Sequence, residues 1–296
     1  MLKDILPDKI YKSLDKIGLS NITDIRIRQN LPVTIFSDKK MYFLNLDNIS
    51  QNVTDFSIYA TLFDIKYILD KLSNNALYSI NDDLVKGFVS IEGGIRIGFS
   101  GEMVVVNGVS KTLKNISSLC IRIPHFIKNC SLSIYDMLVS KRYINSTLLY
   151  GKPGSGKTTM LKDIVYQLGF RHPELNIVVI DSRRELISQE LRLHNVDIYY
   201  SSKVAEAIES VVRSMCPDIV VLDEITMGEI YDVYQASNLG VTIFATMHGS
   251  NISNVQSRLD TSCGRLSFDR YVELSSDSMV GEVRAVYNKD FSPIYL

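Results

Sequence analysis

Tryptophan is absent from this 296-residue sequence, while asparagine, isoleucine, lysine and tyrosine are plentiful. That bias reflects the coding DNA and excludes no function. Neither sign of charge is in excess: 32 basic and 33 acidic side chains leave a formal net charge of −1. Such a balance argues against binding nucleic acid by bulk electrostatics, and no Lys/Arg-rich segment with interleaved aromatics occurs, although a local basic patch stays compatible with it. Long apolar runs are missing too. Without about 18 consecutive apolar residues there is no spanning helix, and the opening "MLKDILPDKIYKSLDKIG" scatters charge where a signal peptide carries its apolar block. A soluble, cytoplasmic chain with no direct membrane insertion is the expectation. Cysteine is sparse. Cys120, Cys130, Cys216 and Cys263 stand far apart, with no Cys-x-x-Cys pair, so they read as reduced thiols at buried or neutral positions. No internal repeat or low-complexity segment is visible.

What is present suits a globular protein of one large or two medium domains, with 46% hydrophobic and 22% charged residues. In the first part, "TLFDIKYILDKLS" places Leu62, Ile65, Ile68, Leu69 and Leu72 on a helical stripe, with Thr61 and Asp64 spaced as a capping box. "GFVSIEGGIRIGFSGEMVVV" switches to period two and turns at Gly93-Gly94, and "SLCIRIP" is a strand stopped by Pro124. These predict a small α+β domain with an antiparallel sheet over residues 1–138. From 139 to 296 strands and helices alternate: "STLLY", a helix ending at Gly169, "NIVVID", a helix over 205–215, "DIVVLDE", a helix over 229–239, and "VTIFATMH". "RYVELSS" and "GEVRAVYN" read as a closing antiparallel pair. Alternation of this kind predicts a mostly parallel sheet covered on both faces, in an α/β fold of RecA-like type.

Gly151 to Thr158, "GKPGSGKT", fits G-x-x-x-x-G-K-[ST] between a strand and a helix. Gly151, Gly154 and Gly156, with Pro153 and Ser155, let backbone amides wrap phosphates at the positive end of the following helix. Lys157 is spaced to reach the β- and γ-phosphates and Thr158 to ligate Mg²⁺, with Thr159 beside them as a further nucleotide-binding candidate. Downstream, "DIVVLDEI" ends a buried strand on Asp223 and Glu224. Asp223 is the candidate for the Mg²⁺ water shell, and Glu224 for orienting or deprotonating a water. The strand "NIVVID" between the two motifs separates the chain from kinases and Ras-like GTPases. No Asn-Lys-x-Asp motif reads guanine, so ATP is the expected nucleotide. His248 ends the neighbouring strand as a candidate γ-phosphate sensor. Asp181, Arg183 and Glu185 follow a strand into the same edge, which makes Asp181 and Arg183 candidates for a role near the nucleotide.

In this order, "GKPGSGKTT", "IDSRREL", "VVRSMCPDIVVLDEI" and "FATMHGS" resemble the type II and type IV secretion ATPases. "DIRIRQNLP", "GFVSIEGGIRIGFSGE", "ISSLCIRIP" and "FDRYVELS" extend the similarity, over nearly the whole chain, to a sporulation branch of that family. Arg213, Pro217, Asp218 and Glu224 fall where those ATPases carry an arginine, a Pro-Asp and a glutamate, and His248 falls on their histidine-box residue. The chain departs from the pattern after Glu224, where Ile225-Thr226-Met227 replaces Ile-Arg-Asp, and at Ser182, where an acid is expected. The resemblance implies a homo-oligomeric ring, a hexamer, with Mg-ATP between subunits. It implies catalytic roles for Lys157, Glu224, His248 and Arg213, and it makes Arg96 and Arg122 the candidates for arginines donated by an N-terminal domain. It also implies partners: membrane-anchored channel proteins between mother cell and forespore, with the ATPase peripheral on the mother-cell side. The alternatives are a nucleic-acid-stimulated RecA-like motor and a nucleotide-gated assembly protein with negligible turnover.

Overall fold

A computed structural model describes residues 2–19, 21–38, 40–73, 81–140, 143–182, 186, 189–201, 203–261, 264–275 and 280–294. The chain divides into two compact units, Met1–His125 and Phe126–Leu296.

In the first unit, helices α1 (Leu2–Ile5), α2 (Asp8–Ile17), α3 (Leu62–Leu72) and α4 (Asn81–Lys86) accompany one seven-stranded sheet. Its strands are β1 (Ile22–Arg28), β2 (Thr34–Ser37), β3 (Lys40–Leu44), β4 (Ile49–Ser50), β5 (Phe88–Ile91), β6 (Ile95–Val106) and β7 (Val109–Arg122), in the order β4-β3-β2-β1-β7-β6-β5. Each neighbouring pair is antiparallel. Strand period two sorts the residues onto two faces. Ile35, Ile25, Ile121, Ile97 and Val89 form one cross-strand row, all buried. They share a core with Ile10 and Leu14 of α2 and Ile65 and Ile68 of α3. The next row, on the opposite face, reads Phe36, Asp24, Arg122, Arg96 and Ser90. The capping box forms as its spacing predicts: Asp64 N donates to Thr61 Oγ1 at 3.3 Å and Thr61 N to Asp64 Oδ2 at 2.7 Å. Gly93 and Gly94, both at positive φ, turn β5 into β6.

The second unit holds an eight-stranded sheet of β8 (Thr147–Gly151), β9 (Ile177–Ile180), β10 (Val196–Tyr199), β11 (Ile219–Leu222), β12 (Thr242–His248), β15 (Arg270–Leu274), β16 (Val283–Asn288) and β17 (Pro293–Ile294), ordered β10-β9-β11-β12-β8-β15-β16-β17. The first six run parallel, and β16 and β17 close it antiparallel. A separate short hairpin, β13 (Asp260–Thr261) and β14 (Gly264–Arg265), lies outside it. Strands β8, β9 and β11 are buried along their whole length, because both faces are covered. Leu148, Val178, Val220 and Leu222 face α7 (Val204–Met215), α8 (Ile230–Ser237) and α9 (Ile252–Arg258); Leu149, Val179 and Val221 face α5 (Leu132–Leu138) and α6 (Lys157–Arg171).

One expectation changes, and two further features come from the structure. Helix α6 does not stop at Gly169 but runs to Arg171. A Cβ on Gly169 would meet Leu193 Cδ1 at 2.7 Å and Val196 Cγ2 at 2.9 Å, so this glycine serves close packing rather than termination. Strand β10 at the sheet edge was not apparent from the hydrophobic pattern. The two compact units divide after His125, within the 124–146 stretch where the sequence pattern changes. Helix α5 contributes Ile134, Tyr135 and Leu138 to the second core, and its approach is tied to α6 by the buried Asp163, which accepts from Asn129 N, Ser131 N and Ser131 Oγ at 2.8, 2.8 and 2.6 Å.

Candidate active site

The site is built where β8 ends. Parallel strands feeding helices open their crevice at the carboxyl edge of the sheet, and here that edge carries the loop from Gly151 into α6. Gly154 and Gly156 adopt φ of 78° and 91°, a region that L side chains rarely enter. A Cβ on Gly156 would also lie 3.0 Å from Gly281 N and Cα. Gly281, just ahead of β16, thus presses on the loop, and its N donates to Ser155 O at 3.0 Å. Ser155 Oγ is buried without a hydrogen-bond partner among the described residues. Thr158 and Thr159 follow in the first turn of α6, both half-buried.

Lys157 is buried and turned back under the loop. Its ammonium donates to Gly151 O and Lys152 O, each at 3.1 Å, and reaches His248 Nδ1 at 3.1 Å. Burial pushes its pKa below the ordinary lysine range, against the opposing pull of the Glu224 and Asp223 carboxylates. An ammonium only donates, so Nδ1 of His248 accepts and the proton sits on Nε2. Nε2 lies 3.1 Å from Glu224 Oε1, to which it donates. Lys157, His248 and Glu224 therefore form one hydrogen-bonded chain.

Sheet order explains how three distant residues meet. In the sheet the strand between β8 and β11 is β12, not the "NIVVID" strand that separates the motifs along the sequence. His248 stands opposite Gly151 in the β12–β8 register, and Leu222 stands opposite Ala245 in the β11–β12 register. The segment after β11 stays pinned to β12: Thr246 Oγ1 donates to Asp223 O, and Ile225 N donates to Thr246 O. Asp223 is buried, and the Glu224 side chain is only 14% exposed. Arg258 Nη1 of α9 donates to His248 O. Sequence pattern did not single out Arg258, Thr246 or Gly281. A lone arginine, threonine or glycine gives no signal without the sheet order that brings it to the edge.

The other predicted residues are dispersed. Asp181 follows β9 at the same edge, one strand beyond β11, buried, with Oδ2 accepting from Leu186 N at 2.9 Å. Arg183 and Glu185 lie outside the described residues. Arg213 is in the last turn of α7, largely exposed and paired with Glu209 at 2.8 Å. Because α7 leads into the start of β11, Arg213 stands at the opposite edge of the sheet. The length of that strand, on the order of 13 Å, keeps it from the loop of its own chain. Arg96 and Arg122 belong to the first unit and face each other across β6 and β7. Arg96 lies over the Phe88 ring at 4.6 Å, and Arg122 Nε is 3.5 Å from Asp24 Oδ1. Of the cysteines, Cys120 and Cys130 are half-buried free thiols, Cys216 is an exposed one, and Cys263 lies outside the described residues.

A mostly parallel sheet with a phosphate-loop geometry at its carboxyl edge, preceded by an antiparallel α+β unit, defines the class: the RecA-like P-loop fold of secretion and pilus-motor ATPases. The Legionella pneumophila ATPase DotB superposes with a TM-score of 0.59 at 14% identity, over 90% of this chain and 77% of that one. The pilus retraction motor PilT superposes with a TM-score of 0.57 at 15% identity, over 94% and 80%. Within that class the chain belongs to the family described as sporulation stage III, protein AA, whose model matches residues 2–293. Stage III sporulation protein AA of Bacillus subtilis (strain 168) is 31% identical over 309 aligned positions, covering 98% of this chain and 95% of that protein.

Proposed function

We propose that this chain is an Mg-ATP-hydrolysing mechanochemical ATPase that powers a secretion-like membrane channel complex during sporulation, from mother cell to forespore. The observation that carries this reading is the hydrogen-bonded chain Lys157–His248–Glu224, set at the mouth of the Gly151–Thr158 loop. The residues fit the nucleotide: two left-handed glycines open the loop backbone, α6 begins there, and the buried Ser155 hydroxyl has no hydrogen-bond partner among the described residues.

In this reading the loop amides and Lys157 hold the phosphates, while Thr158 and Asp223 hold Mg²⁺. Bound Mg-ATP supplies a γ-phosphoryl group whose charge is partly neutralised by the metal. Glu224 orients a water and accepts its proton. His248 fixes the Glu224 carboxylate through Nε2–H, and through Nδ1 it couples that carboxylate to Lys157. Arg213 carries no step within its own chain. Arg96 and Arg122 are assigned to a neighbour's nucleotide in a hexameric ring, where an arginine stabilises developing phosphate charge. The family and the secretion-ATPase fold support the setting.

The test is Glu224→Gln and Lys157→Ala. Glu224→Gln should keep ATP binding and lose turnover by roughly 10²–10⁴-fold, and Lys157→Ala should lose nucleotide binding; phosphate release and calorimetry measure the two. Turnover of the Glu224→Gln protein at the unmodified rate would remove Glu224 from the mechanism.

One observation favours a nucleic-acid-stimulated motor as a second reading. Arg26, Arg28, Arg96 and Arg122 share the outer face of the first unit's sheet, accompanied in those rows by Asp24. Titrating single-stranded DNA against salt separates the readings, since tight binding that weakens steeply with salt supports this one.

A further inference from the structure

The nucleotide site leaves one large feature of the chain unused. A groove of about 840 Å³ opens in the first unit, bordered by α3, α4 and the Lys111–Ile116 stretch of β7. Its lining is apolar at Leu69, Leu84, Leu113 and Ile116, with the exposed Leu62 at its edge. Lys66, Lys111 and Lys114 line the groove with one carboxylate, Asp70, and Glu102 stands opposite Lys114 in the neighbouring strand. All three lysines are exposed, and none has an ion-pair partner among the described residues. The apolar surface continues past the rim. Phe63 is 82% exposed and Tyr67 is 41% exposed, and helical spacing places both beside Lys66 and Asp70. Open aromatic surface next to an apolar recess marks an interaction site more often than bare solvent contact.

We propose that this groove docks an acidic amphipathic helix from a separate protein. Leu62 and Leu69 lie two turns apart, about 10 Å along α3, which matches the i, i+3, i+4, i+7 stripe of a helix laid in a groove. Three lysines without an ion-pair partner among the described residues call for glutamate or aspartate flanking the stripe. A second copy of this chain offers no such helix among the described residues. Its acid-bearing helix α7 already buries Val204, Ala207, Ile208 and Val211 in its own core, and α8 buries Ile230, Val233 and Ala236. A flat lipid surface could meet the lysines and Leu62 but not the buried Leu84 and Ile116, so the shape favours a helix.

The probe is a fluorescent peptide of about four turns, with leucine on that stripe and glutamate on its flanks, titrated into the full chain by anisotropy. Saturable binding is expected, weakening with salt. A counterpart with lysine in place of glutamate should bind about tenfold or more weakly, and the double variant Lys66→Glu/Lys114→Glu should lose about tenfold. Leu62→Asp, at an exposed position, should lose a similar factor with an unchanged circular dichroism spectrum. Lys157→Ala should bind the peptide normally, which keeps this proposal separable from the nucleotide reading. Equal affinity for both peptides, or unmodified affinity in the groove variants, would overturn it. Binding to phosphatidylglycerol vesicles in place of the peptide, abolished by lysine reversal, would also overturn it and assign the rim to a lipid surface.

Discussion

His248 is where the residue scale matters most, because it accepts from Lys157 on one ring nitrogen and donates to Glu224 from the other. Only a neutral imidazole does both. Adding a proton at Nδ1 would set two cationic donors face to face. Replacing His248 by alanine should therefore lower ATP turnover by about ten- to a hundredfold, less than loss of Glu224, because the imidazole acts on the carboxylate and not on the water. ATP affinity should change little, since the loop amides remain. Unchanged phosphate release by His248→Ala would exclude the imidazole from the reaction. Legibility at this scale was uneven. Gly151–Thr158 and Asp223-Glu224 stand out in the sequence because their chemistry needs fixed types at fixed spacing. The direct contact of His248 with Lys157, 91 residues away, follows only from strand order.

At the scale of elements, α3 shows how local signals settle a boundary. Burial alone would raise the pKa of Asp64, but hydrogen bonds from Lys9 at 2.6 Å and from Thr61 outweigh it and hold the carboxyl below its ordinary range. A depressed carboxyl stabilises the fold above its unfolded pKa, and that contribution disappears as pH falls through the folded value. Urea titrations should accordingly show Asp64→Asn costing stability near neutrality and costing progressively less toward strong acid. Thr61→Ala should cost about 1 kcal/mol. A constant deficit for Asp64→Asn down to the most acidic point would mean that packing, not charge, makes the contribution. Helix α6 teaches the opposite lesson. Gly169 reads as a stop signal in one dimension, yet Leu193 and Val196 need its bare Cα in three.

For the whole molecule, the test concerns where the second unit begins. A fragment starting at Phe126 keeps α5 and the three hydrogen bonds to Asp163. One starting at Val139 loses Ile134, Tyr135 and Leu138 from the core and leaves a buried carboxylate without those donors. Breaking a buried charged network costs about 3–5 kcal/mol, and lost core side chains add to it. In thermal or urea melts, residues 126–296 should unfold cooperatively, while residues 139–296 should be severely destabilised or unfolded. Equal stability of the two fragments would move the boundary to the later position.

What the sequence by itself determined is whatever depends on neighbours along the chain. The phosphate loop, the acidic pair, the capping box and the β-α alternation with its buried strands all belong there, because helix, strand and turn chemistry act over a few residues. Tertiary structure alone decided the rest. The hydrophobic pattern makes β8, β9, β11 and β12 strands but does not order them, and that order seats His248 between Lys157 and Glu224. It likewise placed Arg213 on the far edge, joined α5 to the second unit, and pressed Gly281 against the phosphate loop. Each of these depends on contacts between segments distant in sequence, and short-range propensity carries no information about them.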